Sequence, residues 1–294
     1  MKIKYRDIKM GTANKERLQT INGIIEDYQA QGYLLTLRQL YYQLVSRDII
    51  ANHINEYKKL SVLLKEGRMA GVVDWGAIED RLRDAEKPSS WSGPESILQS
   101  AVSSFALDHQ DGQDTYIEVW VEKDALSGVL ERVTQPYHVP IVVNRGYSSA
   151  TAMHEAYKRF RDASEDGKNT VVLYLGDHDP SGVDMIRDIK DRIQEFADGA
   201  DDIDFEIIPI ALTRAQIKKY NPPPNPVKVK DSRAAGYKAE HGGTCWEVDA
   251  LPPEVLNNLL EGEITKRMDM DKYNEVLDEE ETQRKRLSDL KKYL

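Results

Sequence analysis

At 294 residues the chain has room for two domains or one large one, and for a substantial core. Its 40% hydrophobic and 31% charged residues place it among ordinary globular proteins and exclude collagen-like and wholly disordered classes. No window approaches the ~18 consecutive apolar residues of a membrane span, and residues 1–10 lack the apolar stretch of a signal peptide, so a cytoplasmic protein without a membrane partner is expected. One cysteine, Cys245, and six scattered histidines leave no internal disulfide and no zinc-ligand spacing. The net charge of -10 opposes a protein that simply coats nucleic acid, yet 1–70 and 210–245 are both basic islands. The acid is concentrated in 246–282, which reads as a solvated surface rather than a ligand site.

In chain order, Leu18, Ile21, Ile24, Ile25 and Tyr28 recur at helical spacing over 15–31, with Gly32 as the stop. Thr36 and Gln39 have capping-box spacing, which starts a second helix at Leu37, and a third runs from about Asn55 to Ala70. Three short helices with a positive balance resemble a helix-turn-helix unit, with GVVDW after Gly71 as a wing strand. Pro, Gly, Ser and Asp clusters over 86–114 mark a connection around one short helix, dividing a first domain at 1–110 from a second at 111–294. The second opens with four β-branched runs at 116–122, 139–144, 170–176 and 204–212, separated by helical stretches at 124–134, 150–163 and 181–197. That alternation predicts an α/β fold with a parallel sheet covered on both faces. NPPPNP at 221–226 is a stiff extended element, and 279–294 is an amphipathic helix with Leu287, Leu290 and Leu294 on one side.

Ligands of open parallel sheets gather beyond the carboxyl ends of the strands. Glu122 ends the first run, followed by Lys123, and the third run ends in the turn GDHDPSG with Asp177 and Asp179. Two carboxylates at i and i+2 with a glutamate from the neighbouring strand make a hard-oxygen pocket suited to Mg²⁺. Aspartate, proline and glycine are also ordinary turn formers. Glu122 favours the metal, because an unpaired carboxylate at the end of a buried apolar run is costly. Asp184 is a possible fourth acid, and Glu118, on the same strand face, is a rival placed deeper from the strand end. No phosphate-binding glycine loop with its lysine, no G-x-S-x-G elbow and no persuasive Cys-His pair occurs.

On a wheel of about 100° per residue, Leu37, Leu40, Tyr41, Leu44 and Val45 form one apolar stripe, so Tyr41 is core. Tyr42 then projects from the polar shoulder with Arg38 one turn before it, a local cation for a phenol whose ordinary pKa near ~10 makes it a weak nucleophile unaided. Exposed tyrosines beside arginines are common surface features, so this pair alone decides nothing.

The segment TLRQLYYQL resembles the R-x-x-Y-Y helix of topoisomerase VI A subunits and their meiotic double-strand-break relatives. VEKDAL at 121–126 and LGDHDPSG at 175–182 look like the glutamate and D-x-D-P-x-G motifs of a Toprim domain, and CWEVDAL at 245–251 is similar to a late E-x-x-A-L segment. The matches occur in family order over 36–251. The resemblance implies a winged-helix (5Y-CAP-like) domain, a Toprim domain, and a homodimer in which Tyr42 of one chain works beside the metal acids of the other. It implies that Tyr42, helped by Arg38, attacks DNA to leave a 5′-phosphotyrosyl link and a free 3′-hydroxyl, with Mg²⁺ at Glu122, Asp177 and Asp179. Lys123, Lys58, Lys59, Lys228, Lys230 and Arg233 are the candidate contacts to double-stranded DNA, although 214–238 reads equally as an exposed basic loop. The chain is shorter than typical A subunits, and NRGYSSATAMHEA at 144–156 lacks the basic residue usual after its threonine. A separate ATPase B-type subunit is a possible partner, and the stand-alone forms of phages and mobile elements, acting in nucleoid or host cytoplasm, are the nearest in kind. Two alternatives stand beside it: a Toprim nuclease that hydrolyses DNA with Tyr42 structural, and a noncatalytic DNA-binding protein.

Overall fold

A computed structural model describes residues 1–79, 88–144, 149–197, 203–227 and 233–290. The amino-terminal part is built on three helices, α1 (Thr12–Ala30), α2 (Leu37–Ser46) and α3 (Ile54–Met69). The five apolar residues expected on α1 are its buried set, and Gly32 follows at a φ of 80°. A two-residue strand, β1 (Leu35–Thr36), runs straight into α2. Thr36 Oγ1 accepts from Gln39 N–H at 3.2 Å while Gln39 Oε1 accepts from Thr36 N–H at 2.8 Å, so both orphan donors of the first turn are satisfied.

The GVVDW segment is not a wing strand. Gly71 turns the chain at a φ of 71°, Val73 is buried in the helical core, and Asp74 caps the 3-10 turn Trp75–Ala77. The strand comes later, as β2 (Ile78–Glu79), and pairs parallel with β1. An apolar side chain drawn into the core at Val73 breaks the extension that a wing requires. Gly67 of α3 lets α1 approach closely, since a Cβ there would stand 2.8 Å from Val73 and 3.0 Å from Leu18.

α4 (Pro94–Ser104) precedes the sheet module. Four strands, β3 (Thr115–Val121), β4 (Ile141–Val143), β5 (Asn169–Leu175) and β6 (Phe205–Ala211), pair in the order β4-β3-β5-β6, all parallel. Connecting them are α5 (Ser127–Thr134), α6 (Ala150–Glu165) and α7 (Pro180–Ala197). The sheet alternates cleanly between two cores. Ile117, Val119, Val121, Leu173 and Leu175 face one side, and Trp120, Val172 and Tyr174 face the other with residues of α6 and α7.

Beyond the sheet come α8 (Arg214–Tyr220), β7 (Asn225–Pro226), α9 (Ala234–His241) and β8 (Thr244–Cys245), with β7 and β8 antiparallel. α10 (Pro253–Arg267) buries Leu256, Leu260 and Ile264 on the sheet beside α5, and α11 (Met270–Asp289) packs against α4. The two modules touch closely. Ala250 belongs to the helical core, Asn52 Nδ2 donates to the Pro224 carbonyl at 2.9 Å, and Arg132 bonds the Gly32 carbonyl. α2 is thereby held over the carboxyl ends of the strands.

Candidate active site at the strand ends

β3 hands its last hydrogen bond to β5 through Glu122 N–H and the Leu175 carbonyl, at 2.9 Å, which fixes Glu122 at the sheet mouth. Each expected acid has one oxygen held by a backbone N–H. Glu122 Oε2 accepts from Asp177 at 2.9 Å, Asp177 Oδ1 from Val248 at 2.9 Å, and Asp179 Oδ1 from Gly182 at 2.7 Å. Glu122, Asp177 and Asp179 are thus brought together, and their charges act on one another. Burial, then the neighbouring Asp177 carboxylate, pushes Glu122 up to about 7. Burial also raises Asp177, against the pull of Lys123 and the Val248 N–H.

A carboxyl raised in the folded state keeps its proton longer than in the unfolded chain, whose ordinary value is 4.5. The stability it confers is full below that value and is lost as pH rises through about 7. The metal-free chain is therefore expected to weaken between pH 5 and 8 by up to about 3 kcal/mol, and Glu122→Gln to flatten the dependence. Urea midpoints in a chelating buffer across that range check this, and a wild-type profile as flat as the variant's would contradict it.

Two glycines make the turn possible. A Cβ at Gly182 would lie 2.1 Å from the Asp177 carbonyl oxygen, and one at Gly176 2.5 Å from the Tyr174 ring. Gly182→Ala has to displace backbone, so we expect a loss on the order of 1–3 kcal/mol, read as a lower thermal midpoint. An unchanged midpoint would show that the turn opens freely.

Asp177 also anchors a network of charges. His178 and Trp246 exchange backbone hydrogen bonds of 2.9 and 3.0 Å, which lays 246–250 against the acid turn. Lys123 Nζ then stands 2.8 Å from Asp177 Oδ1, Glu247 Oε2 and Asp249 Oδ1. Arg38 pairs with Glu247, and its Nε lies 2.7 Å from Asp249 Oδ2. Lys123, expected to contact DNA, is instead largely buried as the shared cation of three carboxylates. The acidic stretch expected to be a solvated face begins with two residues of this site, and Asp249 is only 1% exposed. Glu247 and Asp249 were the functional candidates missed, although the CWEVDAL resemblance marked their segment.

Tyr42 does not project from a polar shoulder. It is 3% exposed, because residues far along the chain cover that side of α2. Arg38 stacks 5.8 Å from its ring centre, and Asp249, Arg38, the Asn225 side chain and Asp177 act on its phenol. Burial and Asp249 hold the phenol well above the ordinary tyrosine value, with Arg38 pulling the other way. The acids that reach it belong to its own chain. Tyr41 is buried as expected, though its hydroxyl donates to Asn52 Oδ1 at 3.0 Å. A cavity of about 240 Å³ opens here, lined among others by Arg38, Tyr41, Tyr42, Tyr57, Asn52 and Asn225.

The remaining candidates lie elsewhere. Glu118 is fully buried on the α6 side, where Arg159 meets its two oxygens at 2.5 and 3.0 Å and Tyr116 and Trp120 donate to it, so it is a structural ion pair and no rival metal ligand. Asp184 pairs with Arg187 at 2.8 Å and Arg233 at 3.4 Å on α7 rather than joining the acids. Arg233 also donates to Ser181 Oγ at 3.1 Å, beside the acid turn. Lys58 and Lys59 are exposed on α3, with Lys59 2.6 Å from Glu56. Lys228 and Lys230 fall outside the described residues.

Among the described residues no three His, Cys, Asp or Glu side chains are grouped closely enough to hold a metal ion between them. The donor chemistry nevertheless fits a magnesium ion that takes one or two carboxylates and otherwise water. The three acids are oriented by backbone, burial and neighbouring negative charge raise Glu122, and a buried Tyr174 hydroxyl with no hydrogen-bond partner among the described residues adjoins them. No described helix is long and apolar enough to cross a membrane. Comparisons of the chain with known protein families, with curated proteins and with solved structures find no match.

Proposed function

We propose that the protein breaks DNA strands by tyrosine transesterification, as a type IIB topoisomerase A-subunit-like enzyme with a tri-helical amino-terminal module that lacks the expected wing and a Toprim-like sheet module. The observation that carries this reading is the union of Tyr42, on a helix of the first module, with Arg38, Asp249 and Asp177 at the strand ends of the second. A phenol, a guanidinium and clustered carboxylates at the mouth of a parallel sheet are the parts that phosphoryl transfer to tyrosine requires.

In the reaction the Tyr42 oxygen attacks a DNA phosphorus, the bond to the 3′-oxygen breaks, and the products are a 5′-phosphotyrosyl link and a 3′-hydroxyl. Arg38 favours the phenolate by its position over the ring and, freed from Glu247, can bond a phosphate oxygen. Glu122, Asp177 and Asp179 would hold Mg²⁺, which supplies charge stabilisation at the phosphate oxygens. One phosphodiester is exchanged for another, so breakage stays reversible without ATP. Of the candidate cations, Lys58 is exposed, Lys59 and Arg233 would exchange Glu56 and Asp184 for a DNA backbone, and a homodimer, with or without an ATPase subunit, would set two such cuts opposite each other.

A second reading is favoured by one feature, the burial of Tyr42 and the raised pKa of its phenol. In it the acids bind metal and water cuts the DNA, with Tyr42 structural. Incubation with duplex DNA and Mg²⁺, followed by denaturation, separates the readings. Protein covalently attached to 5′ ends supports transesterification, free 5′-phosphate ends support hydrolysis, and binding without cleavage under any divalent ion would leave a noncatalytic DNA-binding protein.

A further inference from the structure

Tyr174 is the sixth residue of β5, on the sheet face covered by α6 and α7. Two polar groups of that face are paired, the Tyr116 hydroxyl and the Trp120 indole N–H each donating to Glu118 at 2.8 Å, whereas Thr170 Oγ1, near the start of β5, has no partner among the described residues. The Tyr174 hydroxyl, at the carboxyl end of the same strand, is also unpaired. Its residue is 2% exposed, yet the oxygen has no hydrogen-bond partner among the described residues. An unpaired buried hydroxyl costs roughly 1–3 kcal/mol, so a phenylalanine would serve packing better here.

The ring also points somewhere specific. It lies across Gly176, where a Cβ would come within 2.6 Å of the phenol oxygen, and so reaches past the strand end toward the turn that carries Asp177 and Asp179. Glu122, Asp177 and Asp179 all act on it electrostatically. None of the three accepts its hydrogen bond, although each has an oxygen that no described donor engages.

We propose that the Tyr174 hydroxyl is a ligand-binding group of this site, donating to an oxygen of whatever Glu122, Asp177 and Asp179 hold, either a water of a hydrated divalent cation or a phosphate oxygen of DNA. This rests on the reading of the strand-end acids as a metal and phosphate site. Gly176 then has a purpose beyond the turn: any side chain there would block the phenol from the ligand.

The test compares the full-length wild-type chain with Tyr174→Phe, using Tyr116→Phe as the control for loss of a paired hydroxyl. Mg²⁺ binding is measured by calorimetry without DNA, and binding of a labelled duplex by anisotropy in a chelating buffer. Tyr174→Phe is expected to melt at the same or a higher temperature without ligand and to lose about five- to tenfold in affinity in one arm. Loss in the Mg²⁺ arm assigns the acceptor to cation-bound water, and loss in the DNA arm assigns it to phosphate. Tyr116→Phe is expected to lower the melting temperature and leave both affinities alone. Tyr174→Phe affinities equal to wild type in both arms overturn the proposal, whether or not the melting temperature falls. A wild-type chain that binds neither Mg²⁺ nor DNA would instead remove the site reading beneath it.

Discussion

Asp249→Ala is expected to destabilise the chain by about 3 kcal/mol, the lower end of the range for breaking a buried ion pair. Asp249 is 1% exposed and meets two cations, Lys123 at 2.8 Å and Arg38 at 2.7 Å. Its removal leaves Lys123 with Asp177 and Glu247, and Arg38 with Glu247 alone. The loss is therefore partial rather than complete. The same carboxylate belongs to the turn that joins the helical module to the sheet, so the variant should also loosen α2 from the strand ends. Urea unfolding of the two proteins measures the first effect, and hydrogen exchange of α2 amides the second. A difference below about 1 kcal/mol, the worth of an exposed pair, would mean that the network is solvated and holds nothing.

Tyr42→Phe should abolish covalent attachment to DNA, a fall of at least on the order of a thousandfold for loss of the nucleophile. Folding is expected to survive. The ring that packs in the helical core is retained, and only the phenol oxygen is removed. That separation of effects is what distinguishes a nucleophile from a packing residue, and thermal midpoints alongside the cleavage assay make it visible. Because burial keeps the phenol hard to ionise while Arg38 favours its ionised form, the proposed reaction requires the cover over Tyr42 to open with Arg38 still in place. Asn52 Nδ2 donates to the Pro224 carbonyl at 2.9 Å and to Asn225 Oδ1 of the short β7 strand at 3.1 Å, so under this reading substrate entry has to move that strand.

The regular frame was largely legible in the residues, because it depends on local chemistry. Thr36 and Gln39 cap α2 through contacts within four residues, and the four apolar runs are the four parallel strands. The carboxylates Glu122, Asp177 and Asp179 were findable because strand ends are where parallel sheets meet their ligands. What escaped depends on distant segments. A helical wheel describes only the faces of its own helix, so it left Tyr42 exposed and gave no sign that 225 and 247–250 would cover it. Glu247 and Asp249 looked like the start of a solvated acidic run until the bridge between His178 and Trp246 drew them onto the sheet. Lys123 had the charge of a DNA contact but is consumed by three carboxylates. Val73 broke the expected wing by turning inward.

Peptide mass spectrometry of the denatured reaction with duplex DNA tests most directly whether the phenol and the strand-end acids make one centre. With Mg²⁺ present, a nucleotide phosphate is predicted on the peptide containing Tyr42, and none on that peptide with a chelator or with Glu122→Gln. Cleaved DNA bearing free 5′-phosphates, with the Tyr42 peptide unmodified, would contradict it.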